Sequence, residues 1–413
     1  MRYCLTLAAL LAVTAVAHAG DTWPQFRGPA GDGISDAKEL PTHWSETENV
    51  RWKAPVHDKG WSSPVVWGDQ VWVTTAREDG HEFYALGFDR ATGKLLHDVK
   101  VFEEEHPAFC HPFNSYASPT PVIEAGRLYA HFGAYGTACL DTATGQVLWQ
   151  RRDLPCNHFR GPGSSPVVYN GLVYLVFDGF DLQYVAALDK ATGRPVWRKD
   201  RGIKYSTDNG DYKKAYATPA VVEVGGKPQL VCPSAEATIA YDPATGAEFW
   251  RVIHGGMNAA NRPVTGHGLV YLTSGHNTKL LAVRLGGAGE LPKDSIAWQT
   301  QRGVPNRPSL LLRGDLLFMV NDNGVASCLD AATGKVHWSE RLGGGFSASP
   351  VFAAGHLYLA DQDGKTHVLE AGPTFKEVTV NRLDAGCMAS PAVAGDALFL
   401  RTKTHLYCIG RRG

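Results

Sequence analysis

The sequence predicts an all-β fold, an eight-bladed β-propeller of four-stranded antiparallel blades, and three observations carry that prediction. First, a unit of the form Asp-x-x-Thr-Gly-x-x-x-Trp recurs at 141–149, 189–197, 242–250 and 330–338, with a degenerate copy ending in His97 at 89–97. Second, apolar strands begin around Pro64, Pro119, Pro166, Pro219, Pro263, Pro308, Pro350 and Pro391, at steps of 41 to 55 residues. Units of this length, each holding about four short strands, are the signature of a propeller. Third, the last unit provides only three strands, near 389–394, 397–401 and 405–409, while a lone strand at 50–55 carries Trp52 with no turn before it. That strand is expected to complete the last blade and close the ring, which removes the open edges.

Before that strand lie two segments. Residues 1–19 read as a secretory leader: Arg2, an apolar run from Leu5 to Val16, then Ala17-His18-Ala19. Cys4 precedes the apolar run, so it is not placed as a lipid-bearing cysteine. The expectation is an exported chain, periplasmic or secreted, without a lipid anchor and with no later run long enough for an integral membrane segment. Residues 20–49, rich in Gly, Pro and Asp, read as an irregular lead-in anchored by Trp23, Phe26 and Trp44, and 50–413 as a single propeller domain.

Within the repeat, Gly after Thr suits a backbone with φ > 0, and Asp can accept from amides of the same turn. The recurring carboxylate is therefore structural. The Asp- and Asn-rich loops at 178–181, 321–324 and 361–364 read as hairpin turns, and Asp208-Asn209-Gly210-Asp211 as a plain turn in preference to a calcium loop. Seven cysteines follow the leader, an odd number that leaves at least one thiol without an internal partner. Cys110 and Cys156 hold near-matching places in consecutive loops and are a candidate disulfide. A net charge of −1 over 413 residues gives no electrostatic case for nucleic acid.

The run Ala187-Leu188-Asp189-Lys190-Ala191-Thr192-Gly193-Arg194-Pro195-Val196-Trp197 resembles the pyrroloquinoline-quinone-type (PQQ-like) β-propeller repeat. The resemblance covers nearly all of the chain after the leader. That family includes quinoprotein dehydrogenases, the non-enzymatic propeller of the outer-membrane barrel-assembly machine, and uncharacterised exported proteins. Trp23-Pro24-Gln25-Phe26-Arg27-Gly28-Pro29 and Gly60-Trp61-Ser62-Ser63-Pro64 are most similar to the last group. The resemblance implies that Trp52, Trp149, Trp197, Trp250, Trp298 and Trp338 dock between blades. His97 and residues 378–382 replace the Trp in two blades, where packing is expected to be weaker. It also implies where to look for a cofactor. The dehydrogenases use a disulfide between adjacent cysteines, a calcium held by acidic and amide side chains, and an Asp base. This sequence has no adjacent Cys pair, and no such ligand set can be assigned. PQQ with calcium therefore stays the alternative.

The loop leading into each inner strand lies on one face of a propeller and forms a funnel. Trp61, Tyr116, Arg160, Tyr216, Asn261, Arg262, Asn306 and Arg307 are the candidate ligand-binding residues there, a mixture of rings and guanidinia suited to a planar, polar or anionic ligand. His111 and His158 each lie eight residues before their proline and are a candidate metal pair. No nucleophile elbow, zinc-protease helix motif or phosphate loop is present. The reading is a binding or scaffold module for an unknown protein, glycan or small-molecule ligand. The alternative is a periplasmic quinoprotein-type oxidoreductase with its site in the funnel. Cys4 counts against a lipid-anchored scaffold of the barrel-assembly kind.

Overall fold

The computed structural model of the chain describes residues 20–276 and 278–411, so the expected leader, with Cys4, lies outside the described residues. The described chain forms eight sheets, seven of four strands and one of five. Blades 1 to 7 span residues 65–103, 122–151, 167–200, 220–253, 264–300, 311–341 and 351–382. Blade 8 is ordered Val50–Pro55, His405–Ile409, Ala397–Arg401, Ala392–Ala394, so the N-terminal strand is its outermost member and the ring closes as expected. Blade 4 departs from the pattern. Gly289–Glu290, from an insertion in blade 5, pairs in parallel with Glu248–Ile253 as a fifth strand.

Burial follows from stacking. The second and third strands of blade 3, Leu172–Asp178 and Gln183–Asp189, are covered on both faces by neighbouring blades and are buried almost throughout. They accordingly read as near-continuous apolar runs, whereas the outer strand Pro195–Asp200 lies mostly exposed. Because the four strands are antiparallel, the leading loop and the second hairpin of each blade share one face of the ring. The first hairpin and the Asp-to-Gly turn share the other.

That turn is built by its own carboxylate. Asp189 Oδ1 accepts from Thr192 N at 2.8 Å and Thr192 Oγ1 at 2.6 Å. Gly193 is needed twice over: its φ is +70°, and a Cβ there would lie 2.6 Å from the ring of Trp149 on the preceding blade. Trp149 packs on Tyr129 and donates Nε1–H to Lys190 O at 3.0 Å, across the blade boundary. Trp52, Trp197, Trp298 and Trp338 donate in the same way to Arg90 O, Pro243 O, Ala331 O and Gly372 O of the following blade.

Trp250 is different. Its indole donates within its own blade, to Gln229 Oε1 at 2.8 Å, because the insertion has replaced the neighbouring Asp-to-Gly turn and lays Gly289 opposite it. Where the Trp is missing, other rings occupy its place. In blade 1, His97 stacks on Trp72 with ring centroids 5.2 Å apart and packs against Gly145 of blade 2. In blade 7, Thr379 stands in the Trp register, and the lead-in supplies Trp44, which stacks on Tyr358 at 6.2 Å.

A collar of hydroxyls circles the channel. Ser63 N donates to Thr120 Oγ1, Thr120 N to Ser165 Oγ and Ser165 N to Thr218 Oγ1. Arg262 N donates to Ser309 Oγ, Ser309 N to Ser349 Oγ, Ser349 N to Ser390 Oγ, and Ser390 N to Ser63 Oγ. The equivalent positions are thus Thr120 and Ser309 in blades 2 and 6, so Pro119 and Pro308 are each offset from the repeat register. Blade 5 carries Arg262 where the others carry a hydroxyl.

The lead-in crosses the channel on the side away from the leading loops. Trp23 pairs with Val66 of blade 1, and Pro24 O accepts from Ile123 N of blade 2. Arg27 then reaches Leu310 O and Pro350 O of blades 6 and 7. Phe352 N and O bond Gly33 O and Ser35 N.

Candidate binding face

Most of the funnel residues are engaged with one another through the long loop leading into blade 2. Trp61 donates its indole N–H to Phe113 O at 3.0 Å. Arg307 lies over the Phe113 ring at 4.3 Å and ion-pairs with Asp322 at 2.6 Å, while Asn306 N donates to the same carboxylate. Asn261 donates to Arg307 O and Pro308 O. Phe113 of blade 2 therefore bridges blade 1 and blade 6. Tyr116 is buried, with its hydroxyl on Ala108 O at 2.7 Å. Arg262 does not face the funnel: its guanidinium turns to Phe26 O and Gln25 Oε1 of the lead-in.

Arg160 forms a two-point ion pair with Asp211, at 3.2 and 2.8 Å. Buried Lys214 contacts Asp211 at 2.5 Å and the Tyr216 hydroxyl at 3.3 Å. The Arg160 bond holds the Asp211 carboxyl down at about 2, with Lys214 adding to the pull against the cost of burial. Burial lowers Lys214 despite its partner. Asp211 is thus a fixed anion between two cations, and the turn at 208–211 spends its carboxylate on the protein.

Two pairings expected from the sequence do not form. Cys110 and Cys156 are free thiols: Cys110 Sγ faces His111 O and Arg160 O, whereas Cys156 Sγ faces His158 Nδ1 and Leu182 O inside blade 3. Burial pushes the Cys110 thiol up to about 11 and Cys156 well above the usual thiol range. The candidate metal pair is likewise undone by local bonding. His158 Nε2 accepts from Ala134 N at 3.0 Å, and His111 Nδ1 accepts from Phe113 N at 3.1 Å. His158 shares Phe177 with His131, not with His111.

Burial lowers the buried His131 to about 3, the half-buried His158 to about 4 and the buried His254 to about 4. Each ring stays neutral in the folded protein while the unfolded chain takes a proton near 6.5. Stability is therefore full above about pH 6.5 and falls as the pH drops from there towards 4. The expected loss at pH 5 is about 2 kcal/mol per histidine. Urea midpoints at pH 7.5 and pH 5 check it. His158→Gln, which keeps an acceptor for Ala134, should shrink the difference; an unchanged pH dependence would count against the assignment.

What the sequence did not reveal is an aromatic surface on the same face. Phe109 is 61% exposed, and Phe113, Phe159, Phe180 and Tyr212 are exposed on the same face. They come from the loops leading into blades 2, 3 and 4 and from the second hairpin of blade 3. Phe159 and Phe180 rings lie 5.1 Å apart, and Phe180 packs against Gly210, two residues from Tyr212. His111 N bonds Arg160 O, which ties the first loop to the second. Phe159 has φ +59°, a left-handed conformation that is costly for a bulky residue and held by its neighbours. The other exposed large aliphatic side chains, such as Leu148, Val196 and Val336, sit on outer strands around the ring.

The fold and this face define an eight-bladed repeat propeller whose irregular loops present a ring-rich surface. The family model described as outer membrane protein assembly factor BamB matches residues 36–176 and 235–374, and the chain belongs to that family of PQQ-like propellers. A relative of that name from Legionella pneumophila (strain Paris) is 25% identical over 246 residues, 59% of this chain and 49% of the relative. The chain thus aligns with about half of that relative's length. Among solved structures, BamB from Moraxella catarrhalis matches with a TM-score of 0.58 at 12% identity, covering 87% of this chain and 99% of that one. Quinohemoprotein alcohol dehydrogenase from Comamonas testosteroni matches at 0.66 and 11%, covering 97% and 82%. At these identities the two structures speak for the fold alone. Among the described residues no helix is long and apolar enough to cross a membrane.

Proposed function

We propose that the chain is an exported, non-catalytic binding module: a 20–49 lead-in and a 50–413 propeller that hold a protein partner against the leading loops of blades 2 to 4. The observation that carries this reading is the group of exposed rings on that face, with Phe159 kept in a strained conformation to present one of them. Exposed aromatic clusters backed by arginine are where binding energy concentrates in protein interfaces. The kinship with an outer membrane protein assembly factor favours a protein over a glycan or a small ligand.

A photoreactive residue placed at Phe109 or Phe159 in living cells should crosslink to one protein. The same residue at Val336, on an outer strand, should give background only. Equal yields from both regions would sink the proposal. Phe159→Ser should weaken capture of the crosslinked partner about tenfold or more while leaving the melting transition nearly in place. N-terminal sequencing of exported material should begin near Gly20.

The oxidoreductase alternative meets an obstacle in the geometry. Trp61 and Arg307, the pair best suited to grip a planar quinone acid, are both committed to Phe113. The residues present do not form a ready cradle for that group. Calorimetric and visible-spectrum titration with PQQ and calcium tests the point directly. Stoichiometric binding abolished by Trp61→Ala and Arg307→Ala would reverse the reading.

A further inference from the structure

The end of the channel crossed by the lead-in holds two arginines that the binding face does not use. Arg27 is 1% exposed and Arg262 3%. Arg27 donates through its Nη atoms to Pro350 O, Asp32 O and Leu310 O. Arg262 donates to Phe26 O and Gln25 Oε1. All five acceptors are neutral oxygens. The Nε–H of each guanidinium has no acceptor in the protein. One carboxylate, Asp32, acts on both cations, and its Oδ1 accepts from Ile34 N. Two buried positive charges therefore face one negative charge, and two buried N–H donors are left over. A buried, uncompensated charge is costly, and so is an unpaired buried donor.

The two cations belong to one small volume. Arg262 bonds Phe26 O, the residue before Arg27; burial lowers Arg27 to about 9 against the pull of Asp32, with the Arg262 charge a smaller effect in the same direction as burial. The backbone turn is drawn tightly over them. A Cβ on Gly31 would lie 2.2 Å from Arg262 Cζ, and one on Gly33 would lie 2.6 Å from Arg27 Nη2. A ligand here must bring one negative charge, accept N–H bonds without a fixed geometry, and take little more room than an atom. We propose that Arg27 and Arg262 form an anion site inside the lead-in turn, which takes one small monovalent inorganic anion of the halide class. The anion would complete the plug: it neutralises the excess charge where the lead-in is bonded to blades 5, 6 and 7.

The test is stability against chloride concentration at constant ionic strength, with gluconate as the replacement anion and the whole chain as the sample. At a chloride concentration a hundredfold above the dissociation constant, the melting temperature should rise by about 3 °C. The 35Cl resonance should broaden in the presence of the protein, and the broadening should be lost in Arg262→Gln. Equal melting temperatures in chloride and gluconate would overturn the proposal, as would broadening that survives in Arg262→Gln. A response to phosphate with none to chloride would overturn it too, because it would require a larger, oxyanion-shaped site. Should Arg262→Gln fail to fold, bromide soaked into crystals of the unaltered protein decides the matter. An anomalous peak within bonding distance of both Nε atoms supports the site, and its absence at the lead-in turn refutes it.

Discussion

Asp178→Ala is expected to destabilise the protein by about 3–5 kcal/mol, the range for removing one partner of a buried ion pair. Asp178 and Arg201 have side chains 0% and 1% exposed and meet through two bonds, at 2.9 and 2.6 Å. Arg201 also donates to Cys232 O and Pro233 O. The pair thus ties blade 3 to blade 4 where their second strands run into the second hairpins. Alanine at 178 leaves a guanidinium in a dry setting with carbonyls alone for company. The double variant Asp178→Leu, Arg201→Met should recover much of the loss, because what costs most is the orphaned charge. Urea unfolding of the two variants decides this. A loss in Asp178→Ala within 1 kcal/mol, or a double variant as weak as the single, would show that water reaches the pair.

The second large effect is expected at the ring closure. Trp52→Ala should cost about 3–5 kcal/mol through lost packing. It should also do something that Trp149→Ala does not. Trp52 lies on the strand that pairs with His405–Ile409, packs on Phe399, and bonds Arg90 O of blade 1. Its loss loosens the joint between the two ends of the propeller. Hydrogen exchange should speed up in 50–55 and 405–409 ahead of the rest of the molecule, whereas Trp149→Ala should spread its effect through blades 2 and 3. Uniform exchange in Trp52→Ala would mean that the other contacts at the seam hold it unaided. Those contacts include Arg401, whose guanidinium donates to Ser62 O, Ser62 Oγ and Thr74 O of blade 1.

The ring was legible because its parts repeat. Asp, Thr, Gly and Trp at fixed spacing announce a turn whose every member has a local reason, and a three-stranded last unit announces its missing strand. What escaped is what occurs once. Asp178 sits beside a turn and looks like hairpin chemistry, but its partner is 23 residues away in the sequence and only packing brings them together. Trp44 has no repeat spacing, yet it fills the place that Thr379 leaves. The serines and threonines beside the prolines were visible as punctuation only. Their bonding needs the ring to exist before it has meaning. The aromatic face is the same kind of case: Phe109, Phe159, Phe180 and Tyr212 lie on four irregular segments with no shared period, and they become neighbours when three blades stand side by side. The two pairings that failed, of cysteines and of histidines, rested on matching loop positions. Loops of unequal length and course do not keep such matches.

The hydroxyl collar has one further consequence, for how damage would be read out. Ser309 gives its amide to Ser349 and Ser349 gives its own to Ser390, and apart from the step from Thr218 to Arg262, where blade 5 has no hydroxyl, the collar bonds run in the same sense around the axis. A lesion at one hydroxyl is therefore felt by a different residue from the one altered. In Ser349→Ala, position 349 keeps its own bond to Ser390, and it is the amide of Ser309, in blade 6, that is left without an acceptor. The molecule reports injury one blade back, and the direction of that displacement is a signature of its handed assembly.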